Sequence, residues 1–169
     1  MICKADFAHI RFLFLNRNYH NMKNDNNNHF DADIIYLKAF SNAPNGQLFI
    51  GEESKHIPFA IKRFYFINQL QKDNAIRGKH AHKKLEQVIF CVNGSFEMLL
   101  DDGENTQNIP VDNPSVGIRL RPKVWHTMTK FSPDCVILVV TNDYHDEDDY
   151  IRDYDMFMEY IKNNINNIK

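Results

Sequence analysis

The stretch Leu85-Glu86-Gln87-Val88-Ile89-Phe90-Cys91-Val92-Asn93-Gly94-Ser95-Phe96-Glu97-Met98-Leu99-Leu100-Asp101-Asp102-Gly103 decides the fold class. Leu85 to Val92 and Ser95 to Asp101 are apolar runs of strand length, rich in the residue types that suit a pleated, half-buried surface. Asn93-Gly94 between them and Asp102-Gly103 behind them supply the positive-φ residues that tight reversals demand. The reading is two adjacent strands joined as a hairpin.

The same rhythm runs outward in both directions. Short apolar segments recur at intervals of about ten residues, the mark of an all-β sandwich or barrel. They are Ile34 to Phe40, Gln47 to Glu52, Phe59 to Ile67, Thr106 to Val111, Ser115 to Leu120, Val124 to Phe131 and Cys135 to Thr141, with Pro44-Asn45-Gly46 as a further turn signal. After Asn142 the period changes. Tyr150, Ile151, Tyr154, Phe157, Met158 and Ile161 share one face of an amphipathic helix. Asp146, Glu147, Asp148 and Asp149 crowd its expected first turn, where the helix dipole favours negative charge.

At 169 residues, 43% of them hydrophobic and 25% charged, the chain is long enough for one core and too apolar for global disorder. Lys and Arg total 20 against 22 Asp and Glu. That balance provides no broad basic field for nucleic acid or an anionic membrane, although a local basic pocket for a small anion stays open. The longest apolar runs, such as Phe12 to Leu15 and Cys135 to Val140, fall far short of the roughly 20 residues of a membrane-spanning helix. The charged first dozen residues do not resemble a secretory signal, so a cytoplasmic protein is expected. Cys3, Cys91 and Cys135 are odd in number and lack metal-type spacing, which points to reduced packing residues. Seven Asn between positions 16 and 28 cannot supply a core face, so residues 1–32 are expected to be an arm and linker ahead of a domain at 33–169.

The chemistry concentrates in Arg77-Gly78-Lys79-His80-Ala81-His82-Lys83-Lys84-Leu85-Glu86. In an extended segment alternate side chains share a face, so His80 and His82 point the same way and line one cavity wall. Glu86, four residues beyond His82, and His126, some forty residues beyond Glu86, complete the spacing of a metal-binding β-barrel of the cupin type. Three readings follow. Both histidines stand on the outer barrel surface, or they bind a metal with Glu86 and His126, or they perform metal-free acid–base chemistry near their natural pKa.

The string Arg77-Gly78-x-His80-Ala81-His82-Lys83-Lys84-Leu85-Glu86-Gln87 resembles the signature of the sugar-nucleotide 3,4-ketoisomerases. So do Ile57 to Ile67, Val92-x-Gly94-Ser95, Asp101-Asp102-Gly103, Pro122-x-Val124-Trp125-His126 and Asn142-Asp143-Tyr144-x-Asp146-Glu147-x-Asp149-Tyr150-Ile151-Arg152-Asp153-Tyr154. The resemblance covers residues 34 to about 162. It implies a cupin-type (jelly-roll) antiparallel barrel with a C-terminal helix, usually a homodimer, acting on dTDP-4-keto-6-deoxyglucose without a metal or other cofactor. The chain departs from the family at Asn45-Gly46, where a larger residue commonly precedes the glycine, and at Phe66, where many members carry a second Tyr.

Ketone migration from carbon 4 to carbon 3 needs a base for the carbon-bound proton and a relay between the two oxygens, tasks within the reach of imidazoles. By motif position the resemblance assigns these to His80 and His82, two roles that are open to exchange. Tyr65 is the candidate donor to the developing enediolate. Arg63 and Arg77 are candidates for the diphosphate, which a guanidinium fork binds bidentately; an ion pair of Arg63 with Glu52 or Glu53 is the competing reading. Trp125 is weighed between stacking on thymine and packing in the core, Glu86 is set among the substrate contacts, and His126 favours the galacto over the gluco product. The product would feed an aminotransferase making an amino sugar for a surface glycan. The rivals are a metal-dependent cupin and a noncatalytic sugar-nucleotide binding module.

Overall fold

The computed structural model describes residues 32–42, 44–70 and 74–166. The expected N-terminal arm, the Asn-rich linker and Cys3 lie outside the described residues. Twelve strands are described: β1 (Ala32–Tyr36), β2 (Lys38–Ser41), β3 (Gln47–Ile50), β4 (Arg63–Ile67), β5 (Arg77–His82), β6 (Gln87–Asn93), β7 (Phe96–Asp101), β8 (Thr106–Val111), β9 (Val116–Leu120), β10 (Trp125–Thr129), β11 (Val136–Thr141) and β12 (Tyr150–Ile151), followed by helix α1 (Tyr154–Asn166). They form two five-stranded sheets, β1-β9-β6-β11-β4 and β12-β5-β10-β7-β8, with β2 and β3 as a separate hairpin. All pairings within the sheets are antiparallel. This is the expected all-β barrel with a C-terminal helix.

Period-two alternation builds three apolar clusters. Ile89 and Cys91 of β6, Ile118 of β9 and Ile137 and Val139 of β11 meet Phe96, Met98, Leu100 and Met128 between the sheets, forming the main core. The residues in between, Val88, Phe90 and Val140, face outward and are covered by Ile57, Leu37 and Phe59. On the other sheet Ala81, Trp125 and Ile151 face outward, and the apolar stripe of α1, Phe157 and Ile161, closes over them. The Tyr154 hydroxyl donates to Asp101 Oδ2 at 2.7 Å and anchors the helix to the end of β7.

The helix starts later than its periodicity suggests. Tyr150 and Ile151 pair with His82 and Ala81 as an added strand, so α1 begins at Tyr154. The acidic run does not cap it. Asp146 caps a single 3-10 turn over Glu147–Asp149, while Asp153 accepts the Met156 N–H at the true helix start. Elsewhere Arg77–His82 is a strand in its own right, Ile34 to Phe40 divides at Leu37 into β1 and β2, and Phe59 to Ile67 contracts to β4. No helix among the described residues is long and apolar enough to cross a membrane.

Candidate active site

The site lies where the free edge of one sheet, β4, faces the β12–β5 edge of the other. β5 reaches it through a bulge. Gly78 and Lys79 both have positive φ, and the register against β10 shifts so that His80 lies opposite His126. The bulge takes up one residue and delivers His80, His82 and His126 to the same interior surface. Their rings form a cluster, with centroids 4.4 Å apart for His80 and His126 and 4.9 Å for His80 and His82.

Each imidazole of the pair has its Nδ1 committed. His80 Nδ1 lies 3.0 Å from the Gly78 carbonyl, which only accepts, so Nδ1 carries the proton and Nε2 keeps its lone pair. His82 Nδ1 lies 2.8 Å from Asp149 Oδ2 and donates in the same way. Two Nε2 lone pairs are thus available to a substrate. Burial, with a smaller contribution from the neighbouring His82, holds the ionisation of His80 down to about 4. Burial also lowers His82, but the hydrogen bond and charge of Asp149 oppose that fall. His126 is 2% exposed and burial keeps it well below the ordinary imidazole range. Its Nε2 accepts a long hydrogen bond from the Gln87 amide at 3.5 Å, while its Nδ1 has no hydrogen-bond partner among the described residues.

The opposite wall is β4. Arg63, Tyr65 and Ile67 alternate with the exposed Phe64 and Phe66, and Tyr65 packs against the main core. Burial pushes the Tyr65 phenol up to about 12, with the Tyr150 phenol adding to the rise, so it is a hydrogen-bond donor near neutral pH. The Arg63 guanidinium lies 5.4 Å from the Tyr65 ring centroid and its Nε donates to Thr141 Oγ1 at 3.4 Å. Tyr150 closes the site from β12, its ring 4.9 Å from His80 and 4.4 Å from His82, with the Arg152 guanidinium 4.1 Å from its centroid.

The sequence that builds this cluster of histidines, half-buried phenol and guanidinium is matched by a family model. Described as FdtA, WxcM-like, C-terminal, it aligns with residues 30–162. The chain belongs to this family. Its relatives include a TDP-4-oxo-6-deoxy-alpha-D-glucose-3,4-oxoisomerase from Aneurinibacillus thermoaerophilus, 53% identical over 116 residues, 69% of this chain and 83% of that protein. The crystal structure of a 3,4-ketoisomerase from Helicobacter canadensis is similar at 40% identity and TM-score 0.75, over 79% of this chain and 99% of that one. QdtA, a sugar 3,4-ketoisomerase from Thermoanaerobacterium thermosaccharolyticum seen with TDP, is similar at 37% identity and TM-score 0.77, over 81% and 98%. A histidine-to-asparagine variant of the same QdtA, covering 79% of this chain and 96% of that one at 37% identity and TM-score 0.76, is seen with TDP-4-keto-6-deoxyglucose.

Within this FdtA-family barrel, His80, His82, His126, Tyr65 and Arg63 lie near one another where the two sheet edges face, and three expected site residues do not. Glu86 faces outward, because the inward place at the start of β6 belongs to Gln87, which lies opposite Leu120 of β9. Its carboxylate receives Arg119 Nη2 at 3.0 and 2.9 Å, and Arg119 in turn donates to Asp33. Trp125 is 5% exposed and buried under α1, edge-on to Tyr154 and tilted against Phe157, with no face open to a base. Arg77 stands exposed at the start of β5, beyond the bulge. The Arg63 ion pair with Glu52 or Glu53 is not formed, since Glu52 takes Lys55 and Glu53 accepts the Ile61 N–H. Among the described residues no three His, Cys, Asp or Glu are placed to share a metal ion, and with Glu86 on the outer face the ligand set of the metal reading is not assembled. Asp149, Tyr150 and Gln87 were not singled out from the sequence. For Gln87 a signal existed, since it is one position away from Glu86 and so on the opposite face.

Proposed function

We propose that this sugar-nucleotide 3,4-ketoisomerase of the FdtA family converts TDP-4-keto-6-deoxyglucose to the TDP-3-keto-6-deoxyhexose by proton transfer through an enediol. The observation that carries the reading is the pair of inward imidazoles, His80 and His82, each with Nδ1 engaged and Nε2 bare. Their low ionisation keeps both neutral near pH 7, the form a base requires.

In this reading His80 Nε2 takes the proton from carbon 3. The electron pair forms the carbon 3–carbon 4 double bond and the oxygen at carbon 4 takes the negative charge of an enediolate. His82 Nε2 accepts the hydrogen of the oxygen at carbon 3 and gives it to the oxygen at carbon 4; the oxygen at carbon 3 then becomes the ketone, the double bond returns its electrons to carbon 4, and His80 delivers the proton there. His82 carries the hydrogen between the two oxygens, and the Tyr65 hydroxyl steadies the enediolate. Arg63, beside Tyr65 and His82, serves the diphosphate. The placement of His126 against His80 supports protonation giving the galacto product.

The product is consumed by an aminotransferase that installs the amine at carbon 3 in the making of a surface glycan. We place the enzyme in the cytoplasm, in keeping with the free thiols of Cys91 and Cys135, and as a homodimer. The outward Phe64 and Phe66 of edge strand β4, 67% and 63% exposed, support a partner on that face.

Proton NMR of TDP-4-keto-6-deoxyglucose incubated with the protein in deuterated water tests the reading. A 3-keto product, deuterium at the ring carbons and loss of both in His80→Asn support it, and the couplings at carbon 4 report the configuration. An unchanged substrate, or conversion undiminished in His80→Asn, overturns it.

A further inference from the structure

Asp149 is the least expected member of the site, because its position in the sequence suggests a helix cap. In the structure it ends the 3-10 turn that leads into β12, and three consecutive amides hold its acceptors. The Lys84 N–H reaches Oδ1 at 2.7 Å, the Leu85 N–H reaches Oδ2 at 3.3 Å, and the Lys83 N–H reaches the Asp149 carbonyl at 2.9 Å. The side chain is only 10% exposed. The segment just after His82 thus clamps the carboxylate, and Oδ2 is aimed at His82 Nδ1 at 2.8 Å.

We infer that Asp149 is a positioning residue for the ketone migration, fixing His82 as the Nδ1–H tautomer and steadying the imidazolium that His82 becomes while it carries a hydrogen between the substrate oxygens. The inference rests on the reading proposed above. His82 Nε2 accepts the hydrogen from the oxygen at carbon 3, the ring becomes positively charged, and Nε2 gives a hydrogen to the oxygen at carbon 4. Throughout, the Nδ1 hydrogen stays on nitrogen and remains bonded to Asp149.

The groups facing His82 show why a counter-charge is needed there. Burial disfavours the imidazolium most, and Arg63 from β4 and Arg152 beyond β12 add to it. His80 on the same strand and His126 on β10 are neutral neighbours, and Tyr150 covers the ring from β12. Asp149 is the acidic group that opposes them. His80 has only the Gly78 carbonyl at the equivalent nitrogen. The two imidazoles are therefore unequal, and His82 is the one equipped to hold charge.

The test compares wild type, Asp149→Asn and Asp149→Glu in the ketone-migration assay across pH, with 15N spectra of the histidine rings assigned through His82→Asn. Asp149→Asn is expected to lose about 10- to 1000-fold in kcat with KM little changed, the range seen when a group orienting a functional imidazole is neutralised. The acid limb of kcat/KM should move to lower pH, because the protonated ring loses its partner, and Asp149→Glu should recover part of both. The wild-type spectrum should show His82 protonated at Nδ1 and bare at Nε2. A kcat in Asp149→Asn within about twofold of wild type, or an acid limb that stays in place, overturns the inference while the function stands. If Asp149→Asn does not fold, an Nε2–H tautomer in wild type overturns it directly. Wild-type protein that leaves the substrate unchanged removes the proposed function and this inference together.

Discussion

A Cβ placed on Gly78 would stand 2.8 Å from the carbonyl oxygen of His126 and 3.0 Å from its Cδ2. Gly78 also holds φ at +72°, a region that side chains disfavour. Its own carbonyl is the acceptor for His80 Nδ1. One backbone position therefore sets the bulge, the spacing to β10 and the tautomer of the proposed base. Gly78→Ala is expected to cost on the order of 1–3 kcal/mol of stability and to lower kcat by more than that loss explains at a temperature where the variant is folded. Denaturant melts beside turnover measurements check this, and an active variant of normal stability would sink it.

Tyr65→Phe removes a hydroxyl and leaves the ring's packing in the core intact. If that hydroxyl donates to the enediolate, kcat should fall roughly 100-fold while KM and the melting temperature stay near wild type. Unchanged kcat would assign Tyr65 to packing alone.

Glu86 and Gln87 make a paired comparison. Glu86→Gln breaks the outward ion pair with Arg119, so the expected result is a stability loss of about 1 kcal/mol and turnover within about twofold of wild type. Gln87→Leu withdraws the amide that donates to His126 Nε2, and turnover should drop while the outer network is untouched. A large activity loss in Glu86→Gln would place that carboxylate in the reaction after all.

The buried imidazoles tie stability to pH. Folding holds His80 down to about 4 and lowers His82 and His126 as well, while in the unfolded chain each titrates near 6.5. Between about pH 6.5 and about pH 4 the unfolded state binds more protons. Stability from this source is therefore fully present above that window and declines as pH falls through it. For His80 alone the decline is roughly 1–3 kcal/mol. Melting curves from about pH 7 to about pH 4.5 should fall less steeply for His80→Asn than for wild type. Parallel curves would show that His80 is not held neutral by the fold.

What was legible in the sequence depended on distance along the chain. The Asn93-Gly94 and Asp102-Gly103 turns marked their reversals because a positive φ is a local demand, and the His80–His82 pair shared a face because alternation is local too. Glu86 was misplaced by parity. The turn after His82 resets the face, and a count carried forward from His82 selects Glu86 where the structure turns Gln87 inward. The acidic run before Tyr150 carried a true helix-cap composition, but the partner that claims Asp149 is sixty-seven residues away, and no periodicity encodes such a contact. Trp125 shows the same limit, since its cover comes from α1 on the far side of the sheet.

The pairing of β12 with β5 also orders events in time. During synthesis His80 and His82 emerge early, and β6 and β7 have their neighbours before the chain reaches Asp149, whereas β5 still lacks β12. The partner of His82 arrives only after every other strand has been made, and closing so long a loop is among the slower steps available to a folding chain. A nascent chain therefore makes the other described strands before the hydrogen bond between His82 and Asp149 can close, so the setting of that imidazole comes after the barrel around it.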